Sequence, residues 1–256
     1  MPFTLSHPAA IIPFRRYATR STSLSALVIG SVSPDFVYFF HLGTNGAFSH
    51  SLAGIFLFCV PASMVVYIVY HLILRQPLLA LMPDAIATRM NPVAEWIPRS
   101  VSAILVIASS FAIGAGTHVG WDAFTHGNTL VVKNFEILRT PIALMGDLKM
   151  PLYKVLQHLS SVLGLVVLAI CLVRWMHRTP RAFTRKNRLH QMQQTLVIVI
   201  LLAAGLVGSV FGLTTRPAMT FEGSIFNGIV GGMASMALAI LAFCVYWRIR
   251  TLREID

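Results

Sequence analysis

Apolar residues fall along this chain in long runs separated by short polar joints. Five runs approach the ~20 residues that a helix needs to cross a bilayer: Ser51–Leu74, Val101–Gly120, Leu159–Met176, Thr195–Thr214 and Ile225–Trp247. No soluble domain is evident between them. The pattern predicts an all-α fold, a polytopic transmembrane helix bundle forming a single integral membrane domain over residues 1–256.

A sixth apolar run, Leu24–Leu42, is interrupted by Gly30, Ser31, Ser33, Pro34 and Asp35. Pro34 lacks a backbone donor and disfavours helix at Ser33. Ser33-Pro34-Asp35 also has the look of a helix start, with Ser at the cap, Pro at the first position and an acid in the first turn. This predicts a broken or re-entrant segment near residues 24–42, with a new half-helix beginning near Pro34. Irregular backbone at that depth is tolerated only where it is buried in protein or lines a cavity. Small residues four apart, Gly116 with Gly120, Gly208 with Gly212 and Gly228 with Gly232, predict close helix packing.

Composition supports the membrane reading. Of 256 residues, 56% are hydrophobic and 11% charged, with mean hydropathy +0.73. A short soluble chain could not bury that much apolar surface. The net charge of +11 gathers in the joints, where it reads as topology, with positive charge kept on the cytoplasmic side. A nucleic-acid module has no room in such short loops. The joint Arg174–Gln193 carries Arg174, Arg178, Arg181, Arg185, Lys186 and Arg188 and no acid, so it is assigned to the cytoplasm. Counting outward, and taking Leu24–Leu42 as a crossing, both termini are cytoplasmic. The loop from about Ala123 to Tyr153 then faces outward, although Lys133, Arg139, Lys149 and Lys154 outnumber Glu136 and Asp147, an exception to the rule. Cys59, Cys171 and Cys244 lie in apolar runs and form no metal knuckle or disulfide framework. The first residues do not read as a cleaved signal peptide.

Ionisable groups in membrane segments are costly and therefore functional candidates. His118, Asp122 and His126 follow at four-residue steps and share one helix face. A His and a carboxylate at that spacing can bind one divalent metal. Alternatively, the carboxylate orients the imidazole from behind, or the group is merely a helix end dipping into interfacial water. His50 and His158 fall at the same membrane side, so residues distant in sequence converge. Asp35, at the helix break, is a further candidate ligand. His7 joins only if the first forty residues form a re-entrant pair. His41 is a weaker candidate, and His71, His177 and His190, near the basic joints, read as structural.

Met1-Pro2-Phe3-Thr4-Leu5-Ser6-His7-Pro8-Ala9-Ala10, Gly30-Ser31-Val32-Ser33-Pro34-Asp35-Phe36, His50-Ser51, His118 to His126 and Leu156 to Gly164 resemble the bacterial family called domain of unknown function 4184. The resemblance runs from Met1 to about Gly164, leaving 165–256 as additional transmembrane helices. More distantly, the order His, Pro-Asp, His-Ser, His-x-x-x-Asp is similar to the membrane-bound metal-dependent hydrolases. That resemblance implies His7, Asp35, His50, His118 and Asp122 as metal ligands. The chain departs from the hydrolase pattern at Val37, where a second acid is expected, and at Asn45, where a His is expected, which leaves a mononuclear site or none.

The first expectation is therefore a hydrolase of a bacterial inner membrane, holding one divalent metal, zinc by its chemistry, and acting on an amphiphilic substrate from the bilayer. The alternatives are a transporter or channel built on the interrupted helix at Asp35, and a non-catalytic membrane scaffold.

Overall fold

The computed structural model describes residues 3–17, 23–39, 46–90, 98, 100–145, 148–181, 189–215 and 220–253. They are almost wholly helical. An N-terminal arm of 3-10 turns runs Thr4–Tyr17, kept from α-helix by Pro8 and Pro13. Helix α1 (Leu24–Val32) follows, then α2 (Leu52–Leu81), α3 (Val101–Thr125), two short helices α4 (Leu130–Asn134) and α5 (Glu136–Arg139), and a hairpin of β1 (Pro141–Met145) with β2 (Leu148–Pro151). Helices α6 (Leu152–Arg178), α7 (Gln191–Thr215) and α8 (Phe221–Arg253) complete the chain. Five helices, α2, α3, α6, α7 and α8, are long and apolar enough to cross a membrane. This is a multi-pass membrane protein. The two-stranded hairpin is the one departure from an all-α reading among the described residues.

The interruption near Pro34 is present but is a pinch, not a clean break. After α1 the backbone tightens into a 3-10 turn, Ser33–Asp35, and returns to α-helix over Phe36–Phe39. Ser33 stays in the right-handed helical region, and its hydroxyl donates back to the Gly30 carbonyl at 2.8 Å instead of capping a new helix. His41 and Asn45 lie outside the described residues.

Helix α2 contains two π-helical stretches, Ile55–Cys59 and Tyr70–Leu74. Each is followed by a proline, Pro61 or Pro77. Those rings would clash with the carbonyls of Leu57 and Ile73 four residues earlier in an ideal helix. Both carbonyls sit in the widened turns, which lets the helix continue.

The described residues fall into two compact units. The first comprises Met1–Val37, Asn45–Tyr67 and Pro98–Trp175; the second, Tyr38–Thr44, Ile68–Ile97 and Met176–Asp256. In the first, α1 packs along α3 with almost no side chain between their backbones. A Cβ on Gly30 would collide with the Phe111 carbonyl, and one on Gly114 with the Leu27 carbonyl. Ala26, Tyr67, Ile107 and Phe111 form the apolar cluster beside this contact. The expected pair Gly116 and Gly120 meets nothing within 4 Å. The glycine of α3 that packs is Gly114, and its partner comes from another segment. In the second unit α7 packs on α8 through Gly208, Gly212, Gly231 and Gly232, so the other two glycine pairs fall at or beside helix contacts as expected.

The N-terminal arm and α1 both pack against α3. Thr4 meets Asp35 at one end of the first unit, where its hydroxyl donates to the Asp35 Oδ2 at 2.6 Å. At the other extreme the Ser23 amide donates to Ser110 Oγ at 3.0 Å. Ser110 is twelve residues, or about 18 Å, back along α3 from Asp122.

Candidate metal centre

The N-terminal arm and the turn after α1 carry His7 and Asp35 to the C-terminal end of α3, where His118 and Asp122 occupy one face a helical turn apart. His50 arrives from a turn just before α2. A Cβ on Gly54 would strike the Phe48 carbonyl, so glycine there is what lets that turn fold down onto the start of α2. Ser51 caps α2, accepting from the Gly54 amide at 3.0 Å.

Asp122 lies at the middle of the group. Its Oδ2 is 3.3 Å from His118 Nε2 and 3.4 Å from His50 Nε2. Its Oδ1 is 3.7 Å from His7 Nε2. Asp35 Oδ1 is 3.4 Å from His50 Nε2 and 3.7 Å from His118 Nε2. His7 stacks on His118 with ring centroids 3.6 Å apart. His7, Asp35, His118 and Asp122 are all buried; the His50 side chain is 19% exposed and forms the mouth.

Four buried atoms here have no hydrogen-bond partner: His7 Nε2, Asp35 Oδ1, His118 Nε2 and Asp122 Oδ1. Orphaned polar atoms normally cost about 1–3 kcal/mol each, and four of them facing one another is an arrangement that a cation satisfies. The outer atoms are by contrast well held. His118 Nδ1 donates to the Ser31 carbonyl at 2.7 Å, and His50 Nδ1 to the Gly46 carbonyl at 2.9 Å. Nδ1 bonding to a carbonyl leaves Nε2 as the nitrogen facing inward on both rings, the outer-shell pattern of metal-ligating histidines. Thr4 occupies the outer oxygen of Asp35 in the same way.

The electrostatics have the matching sign. Asp35 and Asp122 supply two negative charges to a buried site. Burial alone would lower the His50 pKa, but the neighbouring Asp122 and Asp35 carboxylates outweigh it and raise the imidazole to about 10, so His50 carries a proton that a cation must displace.

The separations also suit a small divalent ion. Ligands about 2.0–2.1 Å from a four-coordinate zinc sit roughly 3.3–3.4 Å from one another. The distances from His50 Nε2 and His118 Nε2 to the Asp35 and Asp122 carboxylates run from 3.3 to 3.7 Å. His7 Nε2, His118 Nε2 and Asp122 also lie within 4.8 Å of one another, as do the ligand atoms of Asp35, His50 and His118.

Two weaker candidates are not brought in. His158 is exposed, because the inward face of α6 is set by Gln157 and Gly164, seven residues apart, and the next residue after Gln157 points about 100° away. His126 is half-buried, with Nδ1 3.7 Å from Asp122 Oδ1, but that nitrogen donates to the Asp122 carbonyl at 3.1 Å at the end of α3. Val37, where the hydrolase pattern has an acid, is a buried apolar residue. Thr4 was missed by sequence reasoning. Its signal was its place three residues before His7, which in a 3-10 helix aligns the two side chains.

One family model matches the chain, over residues 1–245, under the description Domain of unknown function (DUF4184). The match continues well past Gly164 into α8. No curated protein and no solved structure matches.

Proposed function

The chain belongs to that family, whose description assigns no chemistry, and we propose from its own geometry that it is a membrane-embedded, metal-dependent hydrolase with a mononuclear His/Asp centre. Asp35, His50, His118 and Asp122 hold one divalent cation, zinc by the donor set and spacing. The carrying observation is the convergence of four orphaned buried atoms, on His7, Asp35, His118 and Asp122, with the outer atoms of Asp35 and His118 held by Thr4 and the Ser31 carbonyl. When bound, the cation supplies Lewis acidity and brings the ionisation of water toward neutral pH. His7 Nε2 and Asp122 Oδ1 face each other at 3.7 Å beside these four ligands. There they are placed to orient a water molecule and take its proton. The site's position at a helix end suits an ester or phosphoester of an amphiphile.

The test is purified wild type, stripped with chelator and reloaded with zinc or manganese, assayed against a panel of lipid phosphoesters and esters. Hydrolysis restored by metal and lost in both His7→Ala and Asp122→Ala supports the reading. Undiminished hydrolysis in His118→Ala with Asp122→Ala would overturn it. A second reading rests on the four-ligand geometry itself, which in zinc proteins usually marks a closed structural site. It predicts that metal raises thermal stability while no substrate turns over.

Thr4 is a positioning residue for Asp35. Losing an outer partner of a ligand typically costs about 10–100-fold in metal affinity. Thr4→Val is expected to weaken zinc binding at least about tenfold by calorimetry, and Thr4→Ser to restore it. Equal affinities in all three proteins would remove Thr4 from the site.

We assign the chain to a bacterial inner membrane with the metal centre facing outward. Taking the arm and α1 as a re-entrant pair gives five crossings where the charge pattern gave six, which puts Thr4 outside and Arg253 in the cytoplasm. A Cys at Asn128 is expected to react with an impermeant thiol reagent on intact cells, and one at Arg181 only after permeabilisation. The reverse pattern would invert the assignment.

A further inference from the structure

Beyond α3 the chain does not leave the membrane end cleanly. Thr129 Oγ1 donates to the carbonyls of Ala123 at 2.6 Å and His126 at 2.8 Å, tying the next segment to the last turn of the site helix. Helices α4 and α5 then turn Val132 and Leu138 inward, at 0% and 8% exposure. Their other face is open: Leu130, Phe135 and Ile137 are 78%, 58% and 67% exposed. Lys133 and Arg139 are exposed among them, and Lys149 on β2 is exposed as well, against a single described carboxylate, Glu136. Trp121 and Phe124 stand exposed on the final turns of α3, the place where aromatic residues mark the water–lipid boundary.

This mixture fits neither pure solvent. Water disfavours three large apolar side chains at such exposure. Hydrocarbon disfavours Lys and Arg by about 2.5–3.5 kcal/mol each. The headgroup layer accommodates both, with apolar tips directed toward the acyl chains and cations beside phosphates. It also accounts for the excess of positive charge on a loop assigned to the outer side.

We propose that the segment Leu130–Pro151 lies in the bilayer interface and binds anionic phospholipid headgroups through Lys133, Arg139 and Lys149. Because Thr129 fixes the segment to the turn carrying His126, lipids gathered there stand beside the mouth of the His/Asp cluster. The binding itself needs no metal, so it stands or falls separately from the hydrolase reading.

The test uses the full chain in nanodiscs containing a photoactivatable phosphatidylglycerol or, in parallel, the same probe on phosphatidylcholine, with adducts mapped by peptide mass spectrometry. The phosphatidylglycerol probe is expected to label residues 129–151 several-fold more than the phosphatidylcholine probe. Lys133→Gln, Arg139→Gln and Lys149→Gln combined are expected to abolish that preference without changing metal content or thermal unfolding. Equal labelling by the two probes would overturn the anionic assignment. Labelling confined to the spanning helices would overturn the interfacial placement, and both results are read on wild type even if the triple variant fails to fold.

Discussion

Asp122→Asn is expected to empty the metal centre, taking bound zinc from about one per chain to below a tenth at equal loading. Among the described residues, Asp122 alone has a carboxylate within 4 Å of His7, His50, His118 and His126 together. Asn keeps the shape but removes the charge and offers the cluster one weak neutral acceptor. The affinity loss should exceed the ~10–100-fold that accompanies loss of an outer-shell partner. Metal analysis of detergent-purified wild type beside Asp122→Asn and His118→Ala decides the matter. Stoichiometric metal in wild type, absent from both folded variants, supports the centre. Metal retained in Asp122→Asn, or none in wild type after zinc and manganese are supplied, would falsify it.

The second large effect belongs to Gly114. Gly114→Val is expected to destabilise the protein by about 3 kcal/mol or more, above the usual overpacking range, and to abolish metal binding with it. The added carbon meets backbone on both sides, the Leu27 carbonyl and the Ser31 amide. Backbone cannot rotate away as a side chain can, so α1 must lift from α3. That movement withdraws the Ser31 carbonyl from His118 and Asp35 from the cluster. Gly116→Ala, two residues on, faces open space and should stay within about 0.5 kcal/mol of wild type. Thermal unfolding in detergent, followed by monodispersity, separates the two outcomes. Similar melting of both variants would show that the α1–α3 contact is not what holds the unit together.

The spans were legible in the sequence because lipid demands unbroken apolar helix and leaves few other solutions. His118 with Asp122 was legible for a local reason, since helical spacing alone puts them on one face. Thr4 was not, and His7 entered only through the resemblance and the condition that the first forty residues form a re-entrant pair. Counting charges treats each apolar run as a crossing, whereas Thr4 meets Asp35 and Ser23 meets Ser110 through contacts that hydropathy does not encode. The packing glycines split the same way. Gly208 and Gly212 announce themselves by spacing, but Gly30 and Gly114 lie in different segments and no periodicity links them. His158 was placed at the correct helix end and the wrong angle around it. The β1–β2 hairpin did leave a signal, Gly146-Asp147 between two short apolar stretches, overlooked beside the stronger helical pattern.

The arm's anchoring also sets an order of events during synthesis. Its first described amide, that of Phe3, donates to Ser161 Oγ, and a Cβ on Gly164 would press on Ser6. These partners are made some 158 residues after the arm. At ~5–20 residues per second the arm waits on the order of ten seconds before its seat exists. Made well before its seat, the arm is thus among the later parts to settle, and Phe3 and Ser6 gain their partners only once α6 has been made.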